Sequence, residues 1–174
     1  NCDEDAPESI RARGEDPDQL TDTYVKAIND AVSSRPDNMF AGMHMCRGNF
    51  QNTWMTSGGY ESVAERMVDE MKVDGYFMEY DSDRAGGFEP LRFVPKDRMV
   101  VLGLITSKTP ELESKDDIKR RIDEAAQYID LDQLCLSPQC GFSSTHQGNN
   151  LTRYEQRRKL ELVVEIANDV WGEI

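Results

Sequence analysis

Met99-Val100-Val101-Leu102-Gly103-Leu104-Ile105 is seven consecutive residues without one polar side chain, between Lys96-Asp97-Arg98 and Thr106-Ser107-Lys108. A continuous apolar run of this length, rich in β-branched residues, reads as a strand buried on both faces. Such strands belong to parallel sheets covered by helices, because a half-solvated antiparallel strand would alternate apolar with polar. Working outward, Gly75-Tyr76-Phe77-Met78-Glu79-Tyr80 and Met39-Phe40-Ala41-Gly42-Met43-His44-Met45 are two earlier apolar runs of strand length, and Leu134-Cys135-Leu136-Ser137 is a later one.

Helical periodicity fills the intervals. Asp16-Pro17 opens a helix with a capping residue and a proline at its first position, followed by Leu20, Tyr24, Ile28, Ala31 and Val32 at helical spacing. Residues 60–71 place Val63, Met67, Val68 and Met71 on one side, and residues 88–93 suit a short helical turn. A helix beginning at Ser114 turns Ile118, Ile122, Ala125, Ala126 and Ile129 inward, and one over residues 152–171 offers Leu160, Val163, Val164, Ala167 and Val170 as its apolar side. Strands alternating with helices at a spacing of about 25–35 residues give an α/β fold of parallel β/α units. Residues 1–174 read as one domain, with 1–15 a polar, irregular lead-in. A start at Asn1-Cys2-Asp3, inside acidic loop-like sequence, has the look of a fragment or processed product.

The chain carries 33 acidic and 20 basic residues, a net charge of −13, which disfavours nucleic acid and anionic membrane surfaces as partners. No stretch approaches the ~18–20 apolar residues of a membrane span. Of the four cysteines, Cys2 sits in the lead-in and receives no role, while Cys135 reads as a packing thiol facing away from Cys140. A chain this large needs no disulfide staples, and no segment reads as a signal peptide, so reduced thiols and a cytoplasmic setting are expected. His146, among Ser143-Ser144-Thr145 and Gly148-Asn149-Asn150, reads as a loop residue.

His44 and Cys46 are two apart at the end of the first strand, so strand alternation puts them on one face. Glu79 ends the second strand and Cys140 follows the fourth. Carboxyl ends of parallel strands point to one side, where α/β enzymes build their sites. An imidazole, two thiols and a carboxylate have the chemistry of a four-ligand zinc set, and thiolates disfavour magnesium and calcium. Each residue alone also fits ordinary packing or a solvated strand end, and the pattern by itself leaves both readings open.

The segments His44-Met45-Cys46-Arg47-Gly48-Asn49-Phe50, then Glu79, then Ser137-Pro138-Gln139-Cys140-Gly141-Phe142 resemble the catalytic domain of cobalamin-independent methionine synthase. Residues 108–115, 140–145 and 164–171 are most similar to the short members that lack the duplicated N-terminal barrel. The resemblance covers nearly the whole chain. It implies a TIM (β/α)8 barrel, of which four strands are the C-terminal half. It also implies Zn2+ held by His44, Cys46, Glu79 and Cys140. The implied activity is that of a zinc-dependent methyltransferase: a homocysteine-like thiol, activated as thiolate, takes a methyl group from a folate-type donor. Two features depart from the family. Lys108, in Lys108-Thr109-Pro110, stands where the family carries its general-acid histidine, and no counterpart of the acidic residue that grips the substrate amine follows Asn1. Lys108 is therefore a candidate proton donor or anion binder. Thr106, Ser107 and Asn49 are candidate substrate-lining residues, and Arg47 is either a pocket-shaping or a loop-stabilising one.

The partners expected are a small thiol and a methyl donor. An open half-barrel exposes sheet edges, so self-association or pairing with a missing half-barrel is expected as well. Two other readings fit the same residues: a non-catalytic zinc-binding or assembly protein, and a structural reduced-thiol domain without metal.

Overall fold

The computed structural model describes residues 6–50, 52–143 and 145–172; Cys2 and the acidic Asp3-Glu4-Asp5 lie outside them. Four strands, β1 (Gly42–Met45), β2 (Gly75–Glu79), β3 (Met99–Ile105) and β4 (Leu134–Pro138), form one sheet in the order β1-β2-β3-β4. All neighbours are parallel. Sequential neighbours joined by helical crossovers are the arrangement expected of consecutive units of a β/α barrel. Both β1 and β4 are edges of an open sheet.

The helices are α1 (Ala6–Ala12), α2 (Pro17–Val32), α3 (Glu61–Glu70), α4 (Lys115–Ala125) and α5 (Arg153–Trp171), with a 3-10 turn at Glu89–Phe93. Their starts follow local chemistry. Asp16 caps α2 by accepting the Asp18 N–H at 3.0 Å, and Ser114 caps α4 through the Asp117 N–H. Thr152 and Glu155 form a reciprocal capping box on α5.

The sheet has one covered and one open face. The row Met45, Met78, Leu102, Leu136 runs across it in register. Its first three members are nearly sealed against the core that α3, α4 and α5 help to close. The neighbouring row, His44, Phe77, Val101, Cys135, takes the other face, and Phe77 is 37% exposed there.

Four expectations change. The lead-in is not irregular throughout, because residues 6–12 form α1 and bury Ile10. In α2 the buried positions are Pro17, Thr21 and Val25, whereas Tyr24 is exposed. Thr21 can be buried because its hydroxyl donates to the Pro17 carbonyl at 3.1 Å. In α5 the buried stripe is Lys159, Leu162 and Ile166, and Leu160 and Val164 face outward. Cys135 lies on the open face beside Val101, half-buried; the register shift between Gly103 and Ile105 breaks the alternation that counting from Cys135 to Cys140 assumes.

Candidate metal centre

His44 is carried by β1, and Cys46 follows it where the strand ends. Cys140 follows β4, whose last residue is Pro138. The two strands are opposite edges of the sheet, yet the loops beyond them converge. The Cys46 and Cys140 sulfurs are 3.3 Å apart and the Cys140 sulfur is 3.4 Å from His44 Nε2. The three donor atoms all lie within 4.8 Å of one another. Gly48, at φ 86°, adopts the left-handed conformation that favours glycine, and its N–H donates to Cys46 Sγ at 3.2 Å.

The two sulfurs are in hydrogen-bonding contact. The bond from Cys140, with the neighbouring His44, brings the Cys46 thiol down to about 3. Cys140, as donor to that thiolate and partly buried, is pushed up instead. Bonding to Cys46 raises His44. The arrangement fits a metal ion. Tetrahedral zinc with Zn–S of ~2.3 Å and Zn–N of ~2.0–2.1 Å sets sulfurs about 3.7 Å apart and sulfur and nitrogen about 3.5 Å apart. The Cys46–Cys140 and Cys140–His44 separations are within half an ångström of those values, and a cation would take the place of a thiol proton.

Glu79 is close but is not one of the three. Its carboxylate is fully buried: Oε2 accepts the Arg47 backbone N–H at 2.8 Å, and Oε1 accepts from Arg84 and, at 3.4 Å, from Lys108 Nζ. Lys108 Nζ is also 3.8 Å from Asp81 Oδ2, and Arg84 lies 3.3 Å from Asp81 Oδ1. Two carboxylates and two cations thus form a largely buried network. The charge of Glu79 helps to raise both His44 and Cys140.

Three candidate lining residues are struts between loops. The Ser107 hydroxyl donates to the Gly141 carbonyl at 3.1 Å and accepts from Asn49 Nδ2 at 3.3 Å, while its N–H donates to Gln139 Oε1 at 2.6 Å. Thr106 donates its hydroxyl to Asp81 and its N–H to Glu113 Oε1. Asn49 Oδ1 is buried without a hydrogen-bond partner among the described residues. His146 is exposed in its loop and stands outside the donor cluster.

Arg47 has a larger part than its sequence position suggests. The side chain is buried, with the guanidinium 4.0 Å from the Tyr60 ring centroid. It donates to Gly58 O at 2.9 Å, to the Tyr60 hydroxyl at 2.6 Å and to Glu79 O at 2.7 Å. It therefore ties the loop after β1 to the end of β2. Lys159 is the other residue the sequence concealed. It is fully buried on α5, and its ammonium reaches Glu111 O and both Glu113 oxygens. The glycine-rich run 58–59 beside an apolar helix is the only local sign of the Arg47 hub, and nothing local signals Lys159.

A cavity of about 450 Å3 opens on the uncovered face, lined among others by His44, Phe77, Pro138, Gln139 and Cys140.

Residues 6–169 match the family model described as the catalytic domain of cobalamin-independent synthase. Bacillus subtilis YxjH, named as an uncharacterized protein, is 59% identical over 165 residues, covering 94% of this chain and 44% of its own. A solved structure titled putative vitamin-B12 independent methionine synthase, from Listeria monocytogenes, superposes with a TM-score of 0.71 at 40% identity, covering 92% of this chain and 44% of that one. A 5-methyltetrahydropteroyltriglutamate–homocysteine methyltransferase from Bacillus velezensis is 21% identical over 140 residues, 80% of this chain and 17% of its own. The chain spans less than half the length of each of these relatives.

Proposed function

The chain belongs to the cobalamin-independent synthase catalytic-domain family, and from that premise we propose that it is the metal-bearing part of a zinc-dependent methyltransferase that methylates a small, homocysteine-like thiol, in keeping with methionine biosynthesis. One observation carries the reading: His44, Cys46 and Cys140, from opposite edges of the sheet, bring three zinc-type donors within 4.8 Å. When bound, zinc supplies the Lewis acidity that lets a thiol lose its proton near neutral pH. The chain's own residues do the rest. Gly48 N–H and the strand ends fix the donors, the Arg47 hub ties the loop after β1 to the end of β2, and Phe77 and Pro138 offer apolar surface to the substrate's carbon chain. Gln139 lines the cavity, and both its amide nitrogen and the Asn49 carbonyl oxygen are buried without a hydrogen-bond partner among the described residues; Ser107 braces Gln139 and Gly141 from behind, and Thr106 stands beside it. In the transfer, the substrate sulfur forms its bond to the methyl carbon as the donor's bond to that carbon breaks. The proton lost by the thiol balances the one a folate-type nitrogen takes up. Unprotected thiols at the site suit a reducing compartment such as the cytoplasm, and no helix among the described residues is long and apolar enough to cross a membrane.

The test is zinc content by elemental analysis beside a Cys46→Ser, Cys140→Ser variant, followed by homocysteine methylation by the complete natural polypeptide. About one zinc per chain, lost in the variant together with product, supports the reading; no zinc in the wild type sinks it. A second reading, a zinc-binding protein without turnover, is favoured by the burial of Lys108 beside Glu79 and Asp81, where its ammonium is engaged by carboxylates. Zinc without methylation from any donor would establish that reading.

A further inference from the structure

We propose that Ser107 is a positioning residue for the metal centre: it clamps the loop after β1, which carries Cys46, to the loop after β4, which carries Cys140, and so sets how closely those donors approach. This rests on the metal reading above and deepens it by naming what joins the two edges of the sheet.

The gap to be bridged defines the problem. β1 and β4 are the two edges of a four-stranded sheet, so three strand spacings, roughly 14 Å, lie between them. The Cys46 and Cys140 sulfurs are nevertheless 3.3 Å apart. A thiol is a weak donor and a weak acceptor, so that contact does little to draw the loops together. Ser107 lies just past β3 and is fully buried. Its N–H donates to Gln139 Oε1 at 2.6 Å and its hydroxyl to the Gly141 carbonyl at 3.1 Å, which ties the residues on both sides of Cys140 to one point. A hydroxyl has a single hydrogen. With that hydrogen given to Gly141, the oxygen accepts from Asn49 Nδ2 at 3.3 Å. Asn49 is three residues beyond Cys46, and Gly48 between them donates to the Cys46 sulfur. The Ser107 carbonyl accepts from Asn149 Nδ2 at 2.9 Å, which holds the serine itself in place. One buried hydroxyl thus donates to one loop and accepts from the other, as no alanine methyl can. None of the four Ser107 bonds uses a side-chain atom of His44, Cys46, Glu79 or Cys140, so uptake of a metal breaks none of them.

The test is zinc affinity, by chelator competition, of the complete natural polypeptide and of its Ser107→Ala, Asn49→Ala and doubly substituted variants, with urea unfolding of each measured metal-free and zinc-loaded. Ser107→Ala should weaken zinc binding by about 10–100-fold and Asn49→Ala by about tenfold. The double variant should bind no more weakly than Ser107→Ala, because the two residues make one bridge. Zinc raises the urea midpoint of a chain that binds it, and that rise should shrink in Ser107→Ala. A serine with a merely structural role would lower the metal-free and loaded midpoints alike and leave zinc affinity unchanged, which overturns the proposal. So does a double variant whose loss is the product of the two single losses, since the residues would then act independently. Should Ser107→Ala fail to fold, Asn49→Ala decides alone: a loss of zinc affinity of about fivefold or more supports the proposal, and a smaller one overturns it. Failure of the metal reading looks different, because the wild type would then bind no zinc.

Discussion

Replacing Lys159 by methionine keeps most of the unbranched apolar stem and removes the ammonium with its three donors. In the wild type all three ammonium hydrogens have acceptors: Glu111 O at 2.7 Å and the Glu113 oxygens at 3.0 and 3.2 Å. The lysine side chain is fully buried, and that of Glu113 is 19% exposed. Breaking a buried ion pair by deleting one partner costs ~3–5 kcal/mol, because the other charge is stranded. Glu113 keeps some water and the Thr106 N–H, so the lower end, about 3 kcal/mol, is expected. For a chain of this size that is a fall in Tm of roughly 6–12 °C. Urea unfolding followed by circular dichroism measures it. Adding Glu113→Gln removes the stranded charge and should restore about 1–2 kcal/mol. A loss under about 1 kcal/mol in the single variant, or a double variant no more stable than the single, would refute the reasoning.

Three other outcomes follow from the same geometry. A Cβ at Gly103 would meet Gln139 Cα at 2.7 Å and Met78 O at 2.9 Å; Gly103→Ala should therefore cost ~1–3 kcal/mol and, by displacing the residue before Cys140, lower zinc affinity roughly tenfold in a chelator competition. Glu61, Glu155 and Asp169 are held below their usual values, Glu61 by Arg92, Glu155 by the Thr152 backbone N–H and hydroxyl, and Asp169 by Lys119. Their contribution to stability is complete above the unfolded values of 4.5 and 3.8 and is lost as pH falls through the lower folded ones, so the urea midpoint should drop on acidification below that range, and less steeply in Glu155→Gln. With β1 and β4 both open edges and Phe77 on an uncovered face, the 174-residue chain should sediment as more than a monomer at micromolar concentration, and a monomer throughout would contradict this.

What the sequence made legible was the part of the fold that apolar periodicity encodes. The run at 99–105 became the most buried strand, and the stripe on α4 packed as its spacing indicates because Ile118, Ile122 and Ala125 join the apolar core without needing a specific polar partner. The reading slipped where a polar residue occupies the core. On α5 a scale that penalises lysine moves the stripe to Leu160 and Val164, since the partner that makes Lys159 buriable, Glu113, is 46 residues away. On α2 a threonine bonded to its own helix displaced a tyrosine from the interior. The meeting of His44, Cys46 and Cys140 was legible as strand-end residues sharing a side; their separations were not, because they depend on how far the loops beyond two edge strands lean together.

Glu79 shows where residue type stops being informative. Its place at a strand end, on the same side as two cysteines and a histidine, marks it as a ligand by chemistry. The structure shows besides that its carboxylate accepts from Arg84, Lys108 and the Arg47 N–H, partners that no local pattern announces. Arg47, Lys108 and Lys159 are among the chain's buried residues, and Arg84 is 13% exposed. In a protein of net charge −13, several basic groups are thus gathered behind the sheet's carboxyl ends, neutralising Glu79, Asp81 and Glu113. The field felt by a substrate at the donors is set by these near, poorly screened charges rather than by the acidic surface. Net charge therefore disfavours polyanionic partners for the outside of the molecule and does not by itself set the charge a substrate at the donors can carry.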